Sequence, residues 1–235
     1  KIQMDKQLFD DLLYLPLDIE NPPLDHMDYL NSLDFSKIYQ DEYRNCWHVP
    51  VMYNPTDKDK FQWMPWAFEM PKLKQWCEDV LFKITKQRSR IMIITTPNDY
   101  KNPLHIDCSP EMFNTSQHKF RYVMQGNVDD LDFIGKDTSV TPTAIDKPFV
   151  MSGKWPHEMH NTSGDTKFTL ALGAPWDGSY TDQEYVNVLN QSYQKFEDYY
   201  LGVDFELPDN WEDLFEENQY EKRKKQADEM LSKNR

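Results

Sequence analysis

The amino-acid sequence predicts a mainly β core with flanking helices, an α+β arrangement in a single domain of 235 residues. Three observations carry that prediction. Short strand-like segments at 90–96, 104–108, 120–125, 131–134, 148–151 and 167–172 follow one another at the roughly ten-residue spacing of sandwiches and barrels. The stretches on either side carry helical apolar periodicity instead. Aromatic residues make up 14% of the chain, which provides bulk for a packed core and excludes a disordered polymer.

Taken in order, the first forty or so residues are acidic, and Pro16, Pro22 and Pro23 break any long element. Short helices or turns are expected around 7–14 and 25–33. Segment 46–53 mixes β-branched and aromatic residues and reads as a strand, and 54–60 is turn-rich. A helix is predicted over 71–86. Pro71 suits its first position, and Leu73, Trp76, Cys77, Val80, Leu81 and Ile84 recur at steps of three and four. The strand at 90–96 is stopped by Pro97. Residues 161–165 have turn chemistry between the last two strand-like segments. A second helix is predicted over 182–200. Thr181 and Glu184 form a capping box, and Tyr185, Val188, Leu189, Phe196 and Tyr199 form the apolar stripe. A third helix, about 210–232, is mostly polar. Its run at 221–225 reads as a solvated face, with a nucleic-acid contact as the alternative. The organisation expected is an N-terminal extension over 1–89, a β core over 90–176 and C-terminal helices over 177–235.

A net charge of −14 excludes a broad surface for nucleic acid or anionic membranes and leaves room for a local basic pocket. No apolar run reaches the roughly 18–20 residues of a membrane span, and no N-terminal stretch has the pattern of a secretory signal. Cys46, Cys77 and Cys108 are widely spaced, with no CxxC pair. That signals neither a disulfide framework nor a zinc ribbon, and the expectation is a reduced, cytoplasmic protein.

The sharpest feature is His105-Ile106-Asp107. Residues i and i+2 of a strand point to one face, so an imidazole and a carboxylate converge there. His157 follows 50 residues after Asp107. Two histidines and a carboxylate occupy one face of an octahedral metal and leave positions open for substrate and oxygen. Lys167 lies ten residues after His157, on an otherwise apolar strand. A hairpin through 161–165 is expected to put it on the strand beside His157, where a buried cation can bind the far carboxylate of a diacid chelated to the metal.

This pattern resembles the double-stranded β-helix oxygenases that use iron(II) and 2-oxoglutarate. The stretch His157-Glu-Met-His-Asn161 through Lys167-Phe-Thr-Leu170 is similar to the distal motif of the aspartyl/asparaginyl β-hydroxylase-like branch, which includes hydroxylases of free proline. Arg121 resembles a second basic residue of that branch, placed near a co-substrate or substrate carboxylate. The likeness covers about 90–176. Asp107 stands where the best-known aspartyl hydroxylases have Gly, which is nearer the proline hydroxylases. Lys167 stands where Arg is commoner, although collagen-type prolyl hydroxylases use Lys. The resemblance implies a jelly-roll core with Fe(II) on His105, Asp107 and His157. It implies 2-oxoglutarate held through Lys167 and Arg121, O2 as oxidant, and C–H hydroxylation of an amino acid or a peptide or protein side chain, coupled to oxidative decarboxylation. Two rival readings are a cupin-like metalloenzyme that does not use 2-oxoglutarate and a non-catalytic β-sandwich binding module.

Blander readings stand beside these residues. His105 and Asp107 can be a local surface pair, and Arg121 can simply pair with one of many carboxylates. His160 precedes the same turn as His157 and rivals it, though the ten-residue offset to Lys167 favours His157. Cys108 reads as a small core residue. His26, His48 and His118 lack motif context and read as structural or exposed. Thr95, Thr96, Asn98, Tyr100 and Asn102 either line a pocket or form a loop. Segment 62–66, Gln-Trp-Met-Pro-Trp, is either core or a lid.

Overall fold

A computed structural model of the chain describes residues 4–34, 40–41, 46–53, 60–85, 89–173 and 176–233. The turn expected at 54–60 lies, apart from Lys60, outside these residues, as does the last residue of the helix expected over 71–86. The architecture is mixed α/β on two antiparallel sheets.

Helix α1 (Lys6–Asp11) is capped by the Asp5 carboxylate, which accepts from the Leu8 N–H. It runs directly into strand β1 (Leu12–Pro16). The helix expected over 7–14 therefore stops at Asp11, because Leu12, Leu13, Tyr14 and Leu15 are all fully buried within a sheet. A run apolar on both faces cannot be told from a buried helix by its period. Next come α2 (Met27–Asn31), β2 (Gln40–Asp41), β3 (Cys46–Tyr53), β4 (Gln62–Trp63) and α3 (Pro65–Phe68). Helix α4 (Pro71–Trp76) passes through a π turn at Cys77–Leu81 into α5 (Phe82–Ile84). The π turn accommodates one extra residue while Leu73, Trp76, Cys77, Leu81 and Ile84 all stay buried.

Eight strands follow: β5 (Ile91–Thr96), β6 (Lys101–His105), β7 (His118–Gln125), β8 (Leu131–Ile134), β9 (Ser139–Val140), β10 (Phe149–Ser152), β11 (His157–His160) and β12 (Lys167–Leu172). The chain ends with α6 (Gln183–Phe196), β13 (Leu201–Gly202) and α7 (Tyr220–Lys233). The third helix expected from 210 is two 3-10 turns, Trp211–Leu214 and Glu216–Gln219, before α7 begins. At α6 the cap is the Asp182 carboxylate, which accepts from the Tyr185 N–H, and not the Thr181–Glu184 box. The Thr181 hydroxyl is engaged with Ser179. No helix among the described residues is long and apolar enough to cross a membrane.

The large sheet has the order β13-β1-β10-β7-β12-β5-β3-β2, with β4 on β3; the small sheet has the order β6-β11-β8-β9. Strands β1, β3 and β13 extend the large sheet beyond the expected 90–176 core. Along β7 burial alternates strictly. Phe120, Tyr122 and Met124 join the main core with Leu73, Trp76, Tyr185 and Leu189 from the helices. Helices thus cover one face of the large sheet. The intervening Arg121 and Val123 face the other way, into a cavity that is also lined by His105 and His157 of the small sheet.

His118 ties this packing together. Its Nε2–H donates to the Phe9 carbonyl at 3.0 Å, and the Tyr185 hydroxyl donates to Nδ1 at 2.7 Å. Burial pushes its pKa down to about 4. The folded state therefore holds His118 neutral while the unfolded chain takes up a proton below about 6.5. Stability should be full above pH 6.5 and fall between about 6.5 and 4, by on the order of 3 kcal/mol. Urea midpoints across that range check this, and His118→Gln should flatten the slope.

Candidate metal centre

The site forms at a cross-strand pair. In the small sheet, His157 of β11 lies directly opposite His105 of β6, and their ring centroids are 4.4 Å apart. Both imidazoles are oriented by the same device. The Nδ1–H of His105 donates to the Pro103 carbonyl at 2.7 Å, and that of His157 to the Trp155 carbonyl at 2.8 Å. Each carbonyl is two residues upstream and fixes the tautomer, which turns the Nε2 lone pair outward as a ligand.

Asp107 was expected on the same strand as His105, but the strand ends at His105. The C-terminal segment is the cause. Ile106 donates its N–H to the Leu214 carbonyl at 2.6 Å and accepts from the Glu216 N–H at 3.0 Å. Its side chain packs into a small apolar cluster with Cys108, Leu214 and Phe215. Asp107 lies in the bend that follows, its N–H on the Gly153 carbonyl at 2.7 Å. Alternation survives the bend. Ile106 faces away while the His105, Asp107 and His157 ligand atoms all lie within 4.8 Å of one another, a group that can hold a metal ion. All three are buried. His160, the rival third ligand, is exposed at the end of β11.

Burial holds His105 well below the ordinary histidine value, helped by Arg223 and His157, and lowers His157 as well. Both imidazoles are thus neutral and ready to ligate at neutral pH. Burial pushes the Cys108 thiol up to about 12, so no thiolate joins the set. Two neutral nitrogens and a carboxylate with no thiolate fit iron(II) with open positions.

Arg121 reaches Asp107 across 3.5 Å, and its Nη1 donates to the Phe120 and Leu172 carbonyls. Lys167 is 2% exposed and lines the same cavity, but not by the hairpin expected. Strand β12 joins the large sheet, between β5 and β7, while β11 lies in the small one. The link crosses between sheets, pinned by Asn161, whose Nδ2 donates to the Thr96, Pro97 and Asp165 carbonyls. Lys167 therefore faces the triad from the opposite sheet. Gly126, at φ +111, makes room for its stem: a Cβ there would sit 2.8 Å from Lys167 Cγ.

Three lining residues had no sequence signal. Asp130 pairs with Lys167 at 2.5 Å. Burial pushes Lys167 down and Asp130 up, and their mutual attraction opposes both shifts. Asp130 Oδ2 is buried with no hydrogen bond among the described residues. Glu216 and Arg223 enter from the C-terminal segment. Of the residues before the motif, Thr95, Thr96, Tyr100 and Asn102 line the cavity. Asn98 accepts from the Gly164 N–H instead. Trp63 and Trp66 pack on the main core, so segment 62–66 is not a lid over this cavity. The cavity measures about 140 Å³. A water needs roughly 10–15 Å³ on that scale, so a small organic ligand fits beside an ion.

No protein-family model matches the chain, and a search of curated proteins finds no relative. Among solved structures, the chain is similar to an oxidoreductase of the 2OG-Fe(II) oxygenase family from Burkholderia pseudomallei. That match has 10% identity and a TM-score of 0.41, and covers 66% of this chain and 79% of that one. A Pseudomonas putida prolyl-4-hydroxylase matches at 13% identity and a TM-score of 0.38, over 69% and 90%. A Cupin 2 conserved barrel domain protein from Salinispora arenicola matches at 10% and 0.31, over 74% and 98%. Likenesses this distant carry no weight for function, which rests on the side chains of this chain.

Proposed function

We propose that the protein is an iron(II)- and 2-oxoglutarate-dependent hydroxylase built on a double-stranded β-helix. The order of the eight strands supports the fold. Between β5 and β12 the chain passes back and forth between the sheets, giving β5-β12-β7-β10 within one and β6-β11-β8-β9 in the other. The observation that carries the activity is the buried His105–Asp107–His157 triad sharing one cavity with Lys167 and Arg121.

His105 and His157 would hold the metal through Nε2, and Asp107 through a carboxylate oxygen. Bound iron(II) would supply oxygen activation, coupling decarboxylation of 2-oxoglutarate to hydroxylation of a substrate C–H bond. The carbonyls of Pro103 and Trp155 keep both rings in the ligating tautomer. Arg121 orients Asp107 and offers positive charge to an anion at the metal. Lys167 would take the far carboxylate of the co-substrate, displacing Asp130. The apolar lining, with Ile94, Val123, Leu131 and Met151, excludes water from the reacting centre.

The test is release of succinate from 2-oxoglutarate by the iron-loaded protein in air, with zinc-loaded protein as control. Succinate formed only with iron is the expected result; equal inactivity of both sinks the proposal. The Lys167–Asp130 pair favours one competing reading, a cupin-like metalloenzyme whose lysine is not available to a diacid. That reading requires metal binding without any affinity for 2-oxoglutarate.

A further inference from the structure

The C-terminal helix delivers a cation to the cavity. In the charged run 221–225, Glu221, Lys222, Lys224 and Lys225 are exposed and Arg223 is buried, 5% exposed. Arg223 lines the same cavity as the triad. Its Nη1 donates to Glu216 at 3.3 Å, and its Nε is buried with no hydrogen bond among the described residues. A desolvated guanidinium with an unmatched N–H is costly, and a polar face of a surface helix had solvent available to it. An acceptor in the cavity removes that cost.

Charge says what kind of acceptor. The cavity is lined by Arg121, Lys167 and Arg223 against Asp107, Asp130 and Glu216, so cations and anions cancel. A divalent ion and a dianionic co-substrate cancel one another as well. Arg121 is then committed to Asp107 and Lys167 to the co-substrate, on the reading proposed above. Arg223 comes from outside the strands that carry those groups and is the cation left for a third ligand.

We propose that Arg223 is a specificity-determining residue that anchors a carboxylate of the molecule to be oxidised, so that the enzyme takes small carboxylate-bearing substrates, free amino acids above all. An amino acid presents a carboxylate while its net charge is zero, which keeps the cavity balanced. Within a folded protein only Asp and Glu side chains offer such a group at a fixed distance from a reacting carbon, and their net negative charge would unbalance the cavity. This inference rests on the oxygenase reading and extends it to the substrate.

The experiment is calorimetry on the Mn(II)-loaded protein, titrated first with 2-oxoglutarate and then with the common L-amino acids as free acids and as carboxamides. At least one free acid should bind, and its amide should bind at least about tenfold more weakly. Arg223→Met should remove that discrimination and leave the affinities for Mn(II) and 2-oxoglutarate in place. The acid-against-amide comparison needs no variant. If 2-oxoglutarate does not bind in the first titration, the oxygenase reading fails and takes this inference with it. If 2-oxoglutarate binds but no acid does, or acid and amide bind alike, or Arg223→Met keeps the preference, this inference alone is overturned.

Discussion

Alanine in place of His157 should abolish both metal retention and 2-oxoglutarate turnover while leaving the protein folded. His157 supplies one of three candidate ligand atoms within a 4.8 Å cluster. Loss of even an outer hydrogen-bond partner of a metal ligand costs about 10–100-fold in affinity. Loss of the ligand itself should exceed the upper end of that range. His157 is the first residue of its strand and lies away from the main core cluster, so the thermal midpoint of the metal-free protein should move little. His160→Ala is the matched control, since His160 is exposed three residues further along the same strand. Near-normal iron content and succinate release in His157→Ala, or their loss in His160→Ala, would assign the third ligand wrongly.

The second large effect is expected at Lys167. Lys167→Met keeps the stem and removes the charge. The triad is untouched, so metal affinity should hold. Co-substrate affinity should fall by roughly ten- to a hundredfold, the worth of a charge-assisted hydrogen bond. The same change strands the Asp130 carboxylate, now buried without its cation, and should destabilise the fold by about 3 kcal/mol. Asp130→Asn reverses the sign on binding. It frees the ammonium from its internal partner, and 2-oxoglutarate should bind several-fold more tightly, on the order of 1 kcal/mol. Isothermal titration of both variants on the Mn(II)-loaded protein, with urea melts of each, separates the binding effect from the stability effect. Equal 2-oxoglutarate affinity in Lys167→Met and the unaltered protein would detach Lys167 from the co-substrate.

Local pattern carried much of this architecture. Strands β3, β5, β8 and β12 lie within a residue of where alternation, β-branched content and Pro97 placed them. The His-x-Asp pair converged as alternation requires, even though the strand itself ends at His105. What local pattern did not carry is sheet membership. Strand β12 was recognisable while β11 was not among the strand-like segments, and the pairing of neither was legible. Whether a short link turns back or crosses to the other sheet depends on distant partners, here Asn161 with Thr96 and Pro97. The same limit hid Arg223. Its neighbours Lys222, Lys224 and Lys225 are solvated, and only the crossing of 214–216 over Ile106 brings its helix to the cavity. Asp130 was one acidic residue among forty until β12 placed Lys167 against it. Strand β1 was missed for a different reason: burial on both faces erases the period of two.

On the proposed function, iron(II) on the triad and 2-oxoglutarate on Lys167 would share one cavity. Anaerobic addition of Fe(II) and then 2-oxoglutarate to the metal-free protein tests this by visible absorption. A weak charge-transfer band should grow in with both present, vanish in His105→Ala and weaken in Lys167→Met. Iron binding with no band at saturating 2-oxoglutarate would contradict it and leave the cupin-like reading in its place.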